Sequence, residues 1–329
     1  MIDLNLSVDV EFTINGCFTQ PQHYRPLGVA SLQRVDEGVS HGLGFILDTL
    51  ERYQLKGTFF CEMFQSHYFG DAPMQGVMQE IVARGHDVQL HLHPAWRIFR
   101  HSDWLQRLTA GGTPSDAMHG LGEVQAIQLL EEGMACFKRV MGYAPLAFRG
   151  GSLHVDETLY RVVAQLGIPM ASCQGYGFFA PGDVALRRLH GLHDMFGLRE
   201  VPVTTYTVHG LGGRRWYKAL TVTGTPAFLF WKLLRQGVMQ QSGPLVVLTH
   251  ASEFSTMQRD PERPRFVPHR GNQSRFERLC RFLDRNRAHI RTSTFSQGLE
   301  LWSAQPSPPL RVGMSDLLLR HLFNHFQRP

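Results

Sequence analysis

Apolar positions along this chain follow two alternating periods. Short runs of aliphatic and β-branched residues are separated by longer stretches in which apolar residues recur every three or four positions. The first is the period of a strand and the second that of a helix, so the alternation predicts parallel strands joined by helices. The predicted strands are Leu4–Val10, Gly57–Glu62, Asp87–His93, Leu146–Arg149, Pro169–Cys173, Val201–Tyr206, Leu245–His250 and Arg291–Phe295. Helices fit between them at about 31–54, 74–84, 123–141, 156–166, 225–240 and 272–287. Seven or eight such units in one chain predict an α/β fold, a distorted (β/α) barrel with about seven parallel strands.

Two connections are too long for simple loops: 97–122, and 174–217 with Tyr176, Phe178, Phe179, Phe196 and Trp216. Connections of that length usually form lids or binding walls. Residues 1–303 are expected to make the barrel. Beyond it, Ser303–Pro309 (SAQPSPP) reads as a linker to a last helix, Ser315–Gln327. There Leu318, Leu319, Leu322, Phe323 and Phe326 form one apolar stripe, expected to pack on the barrel within a 304–329 segment; docking on a membrane surface is the alternative.

Composition narrows the class. Of 329 residues, 43% are hydrophobic and 19% charged, enough to build a large core. The first residues show no basic start or cleavage site, and the longest apolar run, Ala227–Leu234, is interrupted by Lys232. No transmembrane span is therefore expected, and the expected location is cytoplasmic, with membrane-surface association as the variant. Five cysteines, odd in number and without Cys-x-x-Cys spacing, argue against a disulfide framework or a thiolate metal site. A net charge of +5 without a block of like charges does not point to nucleic acid.

In a parallel α/β protein the chemistry gathers at the carboxyl ends of the strands. Asp9 and Glu11 stand two apart at the end of the first strand and so share a face. The same spacing aims His91 and His93 to one side, and a His-x-His pair with a carboxylate is a facial ligand set with open positions. Arg149-Gly150-Gly151-Ser152 offers a fixed cation and two glycines that permit close approach, while Val246–His250 ends in another histidine. Each piece has a structural alternative: with 17 histidines none is informative alone, and Asp9 and Arg149 could simply pair. Their coincidence on one predicted rim supplies ligands, a base, an orienting cation and an acid, which metal-assisted hydrolysis requires.

In this order the motifs resemble the polysaccharide deacetylase (NodB homology) family, carbohydrate esterase family 4, over about residues 3–255. Ser7-Val8-Asp9-Val10-Glu11 is similar to the family's first, carboxylate-bearing motif. Gly57-Thr58-Phe59-Phe60 resembles its second strand, and Gly85-His86-Asp87-Val88 the turn before its histidines. Ala147–Gly151 resembles its arginine motif and Leu248-Thr249-His250 its Leu-x-His. The resemblance implies Asp9 as general base held by Arg149, Glu11 as metal carboxylate and His250 as acid. The family places its second histidine four residues beyond the first, where this chain has Ala95, so His93 is the expected substitute. The family's Asp that tunes the acid has no clear match near Ser172-Cys173.

The metal set is thus Glu11, His91 and His93, holding one divalent ion, zinc by default with cobalt, nickel, manganese or iron also compatible. Trp96, Gly150, Gly151 and Ser152 are the expected substrate contacts. The expected reaction removes an acetyl (N-acyl) group from a saccharide, nucleotide- or lipid-linked, in building a surface polysaccharide such as O-antigen or exopolysaccharide. A small-molecule amidase of the same fold and a catalytically silent carbohydrate-binding member are the rivals.

Overall fold

The computed structural model of the chain describes residues 1–258, 264–305, 307–313, 315 and 316. Its main sheet contains β1 (Ile2–Val10), β2 (Gly57–Glu62), β3 (Asp87–Leu92), β4 (Ala147–Gly150), β5 (Met170–Ala171), β6 (His193–Met195), β7 (Leu198–Glu200), β8 (Leu245–His250) and β9 (Ile290–Thr292). The strand order is β8-β1-β2-β3-β4-β5-β7-β6, with β9 also beside β1. Seven of these, β8, β1, β2, β3, β4, β5 and β7, run parallel as one curled half-barrel, β9 runs parallel to the start of β1, and β6 alone is antiparallel.

The half-barrel closes through extended chain rather than through a ladder. Val201 N–H donates to Ala171 at 2.8 Å and Val203 N–H to the Gln174 carbonyl at 2.8 Å, on the β5 side. Thr204 N–H then donates to Val246 of β8 at 3.0 Å, and Val246 N–H returns a bond to Thr204 Oγ1 at 2.8 Å. This corrects the predicted strand Val201–Tyr206. Its first half is the closing segment, and Thr205–His209 leaves the barrel to pair with Arg215–Ala219 and Arg311–Gly313. Residues 311–313, between the expected linker Ser303–Pro309 and the expected last helix, therefore belong to a sheet.

Alternation along each strand sorts the core into two shells. Leu4, Leu6, Val8 and Val10 face outward into the large cluster under the helices. Phe60, Ala147, Met170, Val203, Val246, Leu248, Phe295 and Trp302 fill the inside. Toward the carboxyl ends the inner positions turn polar, and Ser7, Asp9, Gln89, His91 and Arg149 are all buried.

The helix expected over 31–54 is interrupted. It forms Val29–Gln33 and Leu43–Arg52 around a small hairpin, Val35–Asp36 with Val39–Ser40. Glu37 and Gly38 both take positive φ at the tip, a conformation that a helix excludes and glycine favours. The helix at Glu123–Met141 spans the predicted residues, and those at Ala72–Ala83, Glu157–Gln165, Ala227–Gln240 and Arg270–Arg285 lie within two residues of prediction. Most of the expected helix Ser315–Gln327 lies outside the described residues. Among the described residues, no helix is long and apolar enough to cross a membrane.

Candidate metal and hydrolytic site

Each strand delivers its polar end to the same mouth. The parallel register sets Asp9 beside His250 on one side and beside Phe60 on the other, while His91 is level with Glu62 and Arg149. Glu11, two residues on, continues the inward face of β1, and His93 does the same for β3 just before the turn Pro94–Arg100.

The two imidazoles are fixed through their inner nitrogens. His91 Nδ1 lies 2.9 Å from the Arg149 carbonyl, which can only accept, so Nδ1 carries the proton. The Nδ1 of His93 donates to the Asp116 carboxylate, whose other oxygen accepts the Ala95 N–H at 3.1 Å. Both Nε2 atoms are thereby left as lone pairs, and both point at one oxygen. His91 Nε2 is 3.3 Å and His93 Nε2 3.4 Å from Glu11 Oε1. The donor atoms of Glu11, His91 and His93 lie within 4.8 Å of one another, and His93 Nε2 is buried with no hydrogen-bond partner. Three converging lone pairs repel unless a cation lies among them, and Nδ1-tethered imidazoles with a carboxylate are the arrangement that divalent transition metals take. The residues therefore fit a metal ion.

Electrostatics describe the same competition with a proton in its place. Desolvation pushes the Glu11 carboxyl up, but the charges and hydrogen bonds of His93 and His91 outweigh it and hold the group well below the usual carboxylate range. Burial disfavours a charged His93, yet Glu11 and Asp116 raise it well above the ordinary imidazole value. A second cluster, Asp9, Glu11 and His250, has similar spacing. It suits a cation less well, because Asp9 Oδ1 already accepts from Arg149 Nη1 at 2.5 Å and His250 is protonated by its surroundings.

Arg149 is fully buried and orients Asp9 by a dense set of contacts. Its Nη1 donates also to Ser7 Oγ at 3.1 Å, Nε to the Ser172 carbonyl at 3.2 Å and Nη2 to Ser172 Oγ at 2.9 Å. The guanidinium lies 4.0 Å from the Phe60 ring centre. Opposite, His250 Nε2 stands 3.8 Å from Asp9 Oδ2 and 3.9 Å from Glu11 Oε1. Its Nδ1 donates to Glu253 Oε1 at 3.1 Å, and Thr249 Oγ1 donates to Glu253 Oε2 at 2.6 Å. Desolvation opposes the charged ring, but Glu253 first, then Asp9 and Glu11, raise it to about 9.

These groups open onto a cavity of about 430 Å³ that Asp9, Glu11, His93, Asp116 and His250 share with Phe12, Phe18 and Trp96. All six residues expected to act in catalysis or metal binding are thus brought together, and Trp96 lines the cavity. Gly151 and Ser152 lie behind the histidine, and Gly150 lies against Met118. A Cβ on Gly151 would stand 2.4 Å from the His93 ring, and Ser152 Oγ donates to the Asp116 carbonyl at 3.0 Å. Sequence reasoning missed Asp116, which lies in irregular chain with no local pattern to mark it. It also missed Glu253, although a carboxylate three residues past a strand-end histidine was a readable signal. Glu62, the last residue of β2, was passed over as well; it accepts from Phe64 N–H at 2.7 Å, and burial pushes its carboxyl up to about 8.

A scan against protein-family models finds no match, and a search of curated proteins finds none. Solved structures do match. One from Mycobacterium smegmatis, described as a candidate polysaccharide deacetylase, is 12% identical, with 94% of each chain covered and a TM-score of 0.48. A family 4 carbohydrate esterase from Streptomyces lividans, solved with acetate, is 13% identical, covering 92% of this chain and 97% of its own, with a TM-score of 0.43. A Bacillus anthracis protein described as a pseudoenzyme of that family is 10% identical, covering 94% of this chain and 68% of its own, at 0.44.

Proposed function

We propose that this chain is a metal-dependent hydrolase that removes an acetyl group from a saccharide. The observation that carries the reading is the convergence of the His91 and His93 Nε2 lone pairs on Glu11, flanked by an Arg149-bound Asp9 on one side and a Glu253-bound His250 on the other. Glu11, His91 and His93 would hold a divalent ion, which when bound supplies Lewis acidity toward the acyl carbonyl and the attacking water.

The remaining roles belong to the chain's own groups. Asp9 Oδ1 is tied to the guanidinium, and Oδ2, on the His250 side, is the oxygen placed to take the proton from water. Arg149 cannot deprotonate and fixes that carboxylate, so the base does not swing toward the imidazolium. His250 enters the reaction charged and can hand its Nε2 proton to the departing sugar nitrogen or oxygen as the acyl bond breaks. Phe12, Phe18 and Trp96 give the cavity apolar wall against which a sugar face can pack, which supports a saccharide over a small linear amide.

Asp9→Asn is the test. The amide keeps the shape but cannot accept a proton, so acetate release from N-acetyl sugars should fall by about 10²- to 10⁴-fold while metal binding persists. Activity within a few fold of the parent protein would overturn the assignment.

A further inference from the structure

Arg34 is a charged side chain that none of the roles above uses. It is only 7% exposed, lines the same cavity as Asp9, Glu11 and His250, and follows the short helix Val29–Gln33. Its Nε donates to the Ser31 carbonyl at 2.8 Å, and Nη1 donates to Ser255 O at 3.1 Å and to Ser255 Oγ at 3.3 Å. The guanidinium lies 5.2 Å from the Phe266 ring centre. These contacts hold the fork still but neutralise nothing: among the described residues Arg34 makes no ion pair, and Nη2 has no acceptor. Burying a guanidinium without a counter-charge is costly, and burial lowers its pKa as expected. A structural role would be served by an apolar residue over Phe266, or would bring a carboxylate. Contrast Arg149, fully buried, which has Asp9.

We infer that Arg34 is the specificity-determining cation of the cavity, and that the substrate is an acyl sugar carrying an oxyanion, a phosphate or a carboxylate, which docks on Arg34 while the acyl group meets Asp9 and Glu11. The inference rests on the acyl-sugar reading of the site. With Nε held by Ser31 and Nη1 by Ser255, Nη2 is the donor left for a ligand, and a pre-positioned, desolvated guanidinium favours either anion over a neutral hydroxyl. The hydroxyl of Ser252, exposed on the same wall beside His250, offers a second donor.

The test compares N-acetylglucosamine, its 1-phosphate, its 6-phosphate and the corresponding uronic acid as substrates for the parent protein, Arg34→Gln and Arg34→Lys. At least one anionic sugar should exceed the neutral one by 10-fold or more in kcat/KM, mostly through KM; which one wins identifies the anion. In Arg34→Gln that ratio should fall by at least 10-fold, and in Arg34→Lys it should recover in part. Calorimetric binding of glucosamine 6-phosphate, glucosamine 1-phosphate and glucosamine gives the same comparison without turnover. Absence of acetate release from every sugar, with anion-selective binding intact, defeats the hydrolase reading and leaves the anion site standing. The inference is overturned if the parent protein shows no preference for any anionic sugar in either assay, a result that needs no variant to fold. An unchanged ratio in Arg34→Gln overturns it equally.

Discussion

Gly151→Ala should weaken metal binding from a position that touches no metal. Gly151 follows β4 with its N–H on the Leu92 carbonyl at 2.9 Å, and its φ lies outside the left-handed region, so the backbone itself accepts alanine. The obstacle is the histidine: an added Cβ would stand 2.4 Å from both Nδ1 and Cε1 of His93, against the 3.4 Å or more of ordinary contact. The ring must retreat by about 1 Å, several times the ~0.2 Å within which a metal–ligand distance is held. His93 then loses its Asp116 bond, its aim at Glu11, or both. Affinity should drop by about 10- to 100-fold, roughly 1.4–2.7 kcal/mol. Because the ring can turn into the open cavity, the metal-free fold should lose little. A competition titration with a chromophoric zinc chelator measures the first quantity, and thermal melts with and without zinc measure the second. Parental zinc affinity would refute the reasoning, as would a melting point lowered equally in the metal-free protein.

Two further outcomes follow from carboxyls, the half-buried Glu253 and the buried Glu200. Glu253→Gln removes the main group that raises His250, so the basic limb of the kcat/KM profile should move to lower pH. A metal on Glu11 shifts parent and variant alike, so the difference between the two profiles is the readout, and superimposable profiles would exclude Glu253 as the tuning group. Glu200 accepts the Cys173 and Gln174 N–H groups at 3.1 and 3.0 Å and is raised by burial from 4.5 to about 7. Its folded-state pKa exceeds its unfolded one, so the fold keeps a proton that the unfolded chain releases. This contribution is complete below about pH 4.5 and is lost as pH rises to about 7, worth roughly 3 kcal/mol at most. Denaturant unfolding of Glu200→Gln should therefore show a weaker decline across that window than the parent; parallel curves would dismiss the effect.

Much of this site was legible because strand alternation is a local property. Asp9 with Glu11, His91 with His93, and Arg149 each sit at the polar end of an apolar run, and parallel register places such ends together whatever the loops do. Position 95 looked like a defect against the family pattern. The structure seats Ala95 so that its N–H binds the Asp116 carboxylate, the group that steers His93. That partnership joins residues more than twenty positions apart through irregular chain, where no period exists to reveal it. Arg34 escaped notice for a related reason. The 31–54 stretch reads as one helix by its apolar spacing, whereas Glu37 and Gly38 break it and bring Arg34 to the cavity wall. Closure by Val203 and Thr204 was also hidden, since hydrogen bonds alternating between Gln174 and Val246 leave no run of strand type longer than the segment itself.

Acetate release followed while zinc is titrated into metal-stripped protein tests the central claim most directly. If Glu11, His91 and His93 hold a catalytic ion, the rate from an N-acetyl sugar should start near zero, rise in proportion to added zinc and level off at one ion per chain, with His93→Ala needing at least ~10-fold more free zinc to reach half its plateau. A rate already maximal without metal, or one that His93→Ala follows with the parent's zinc dependence, would contradict it.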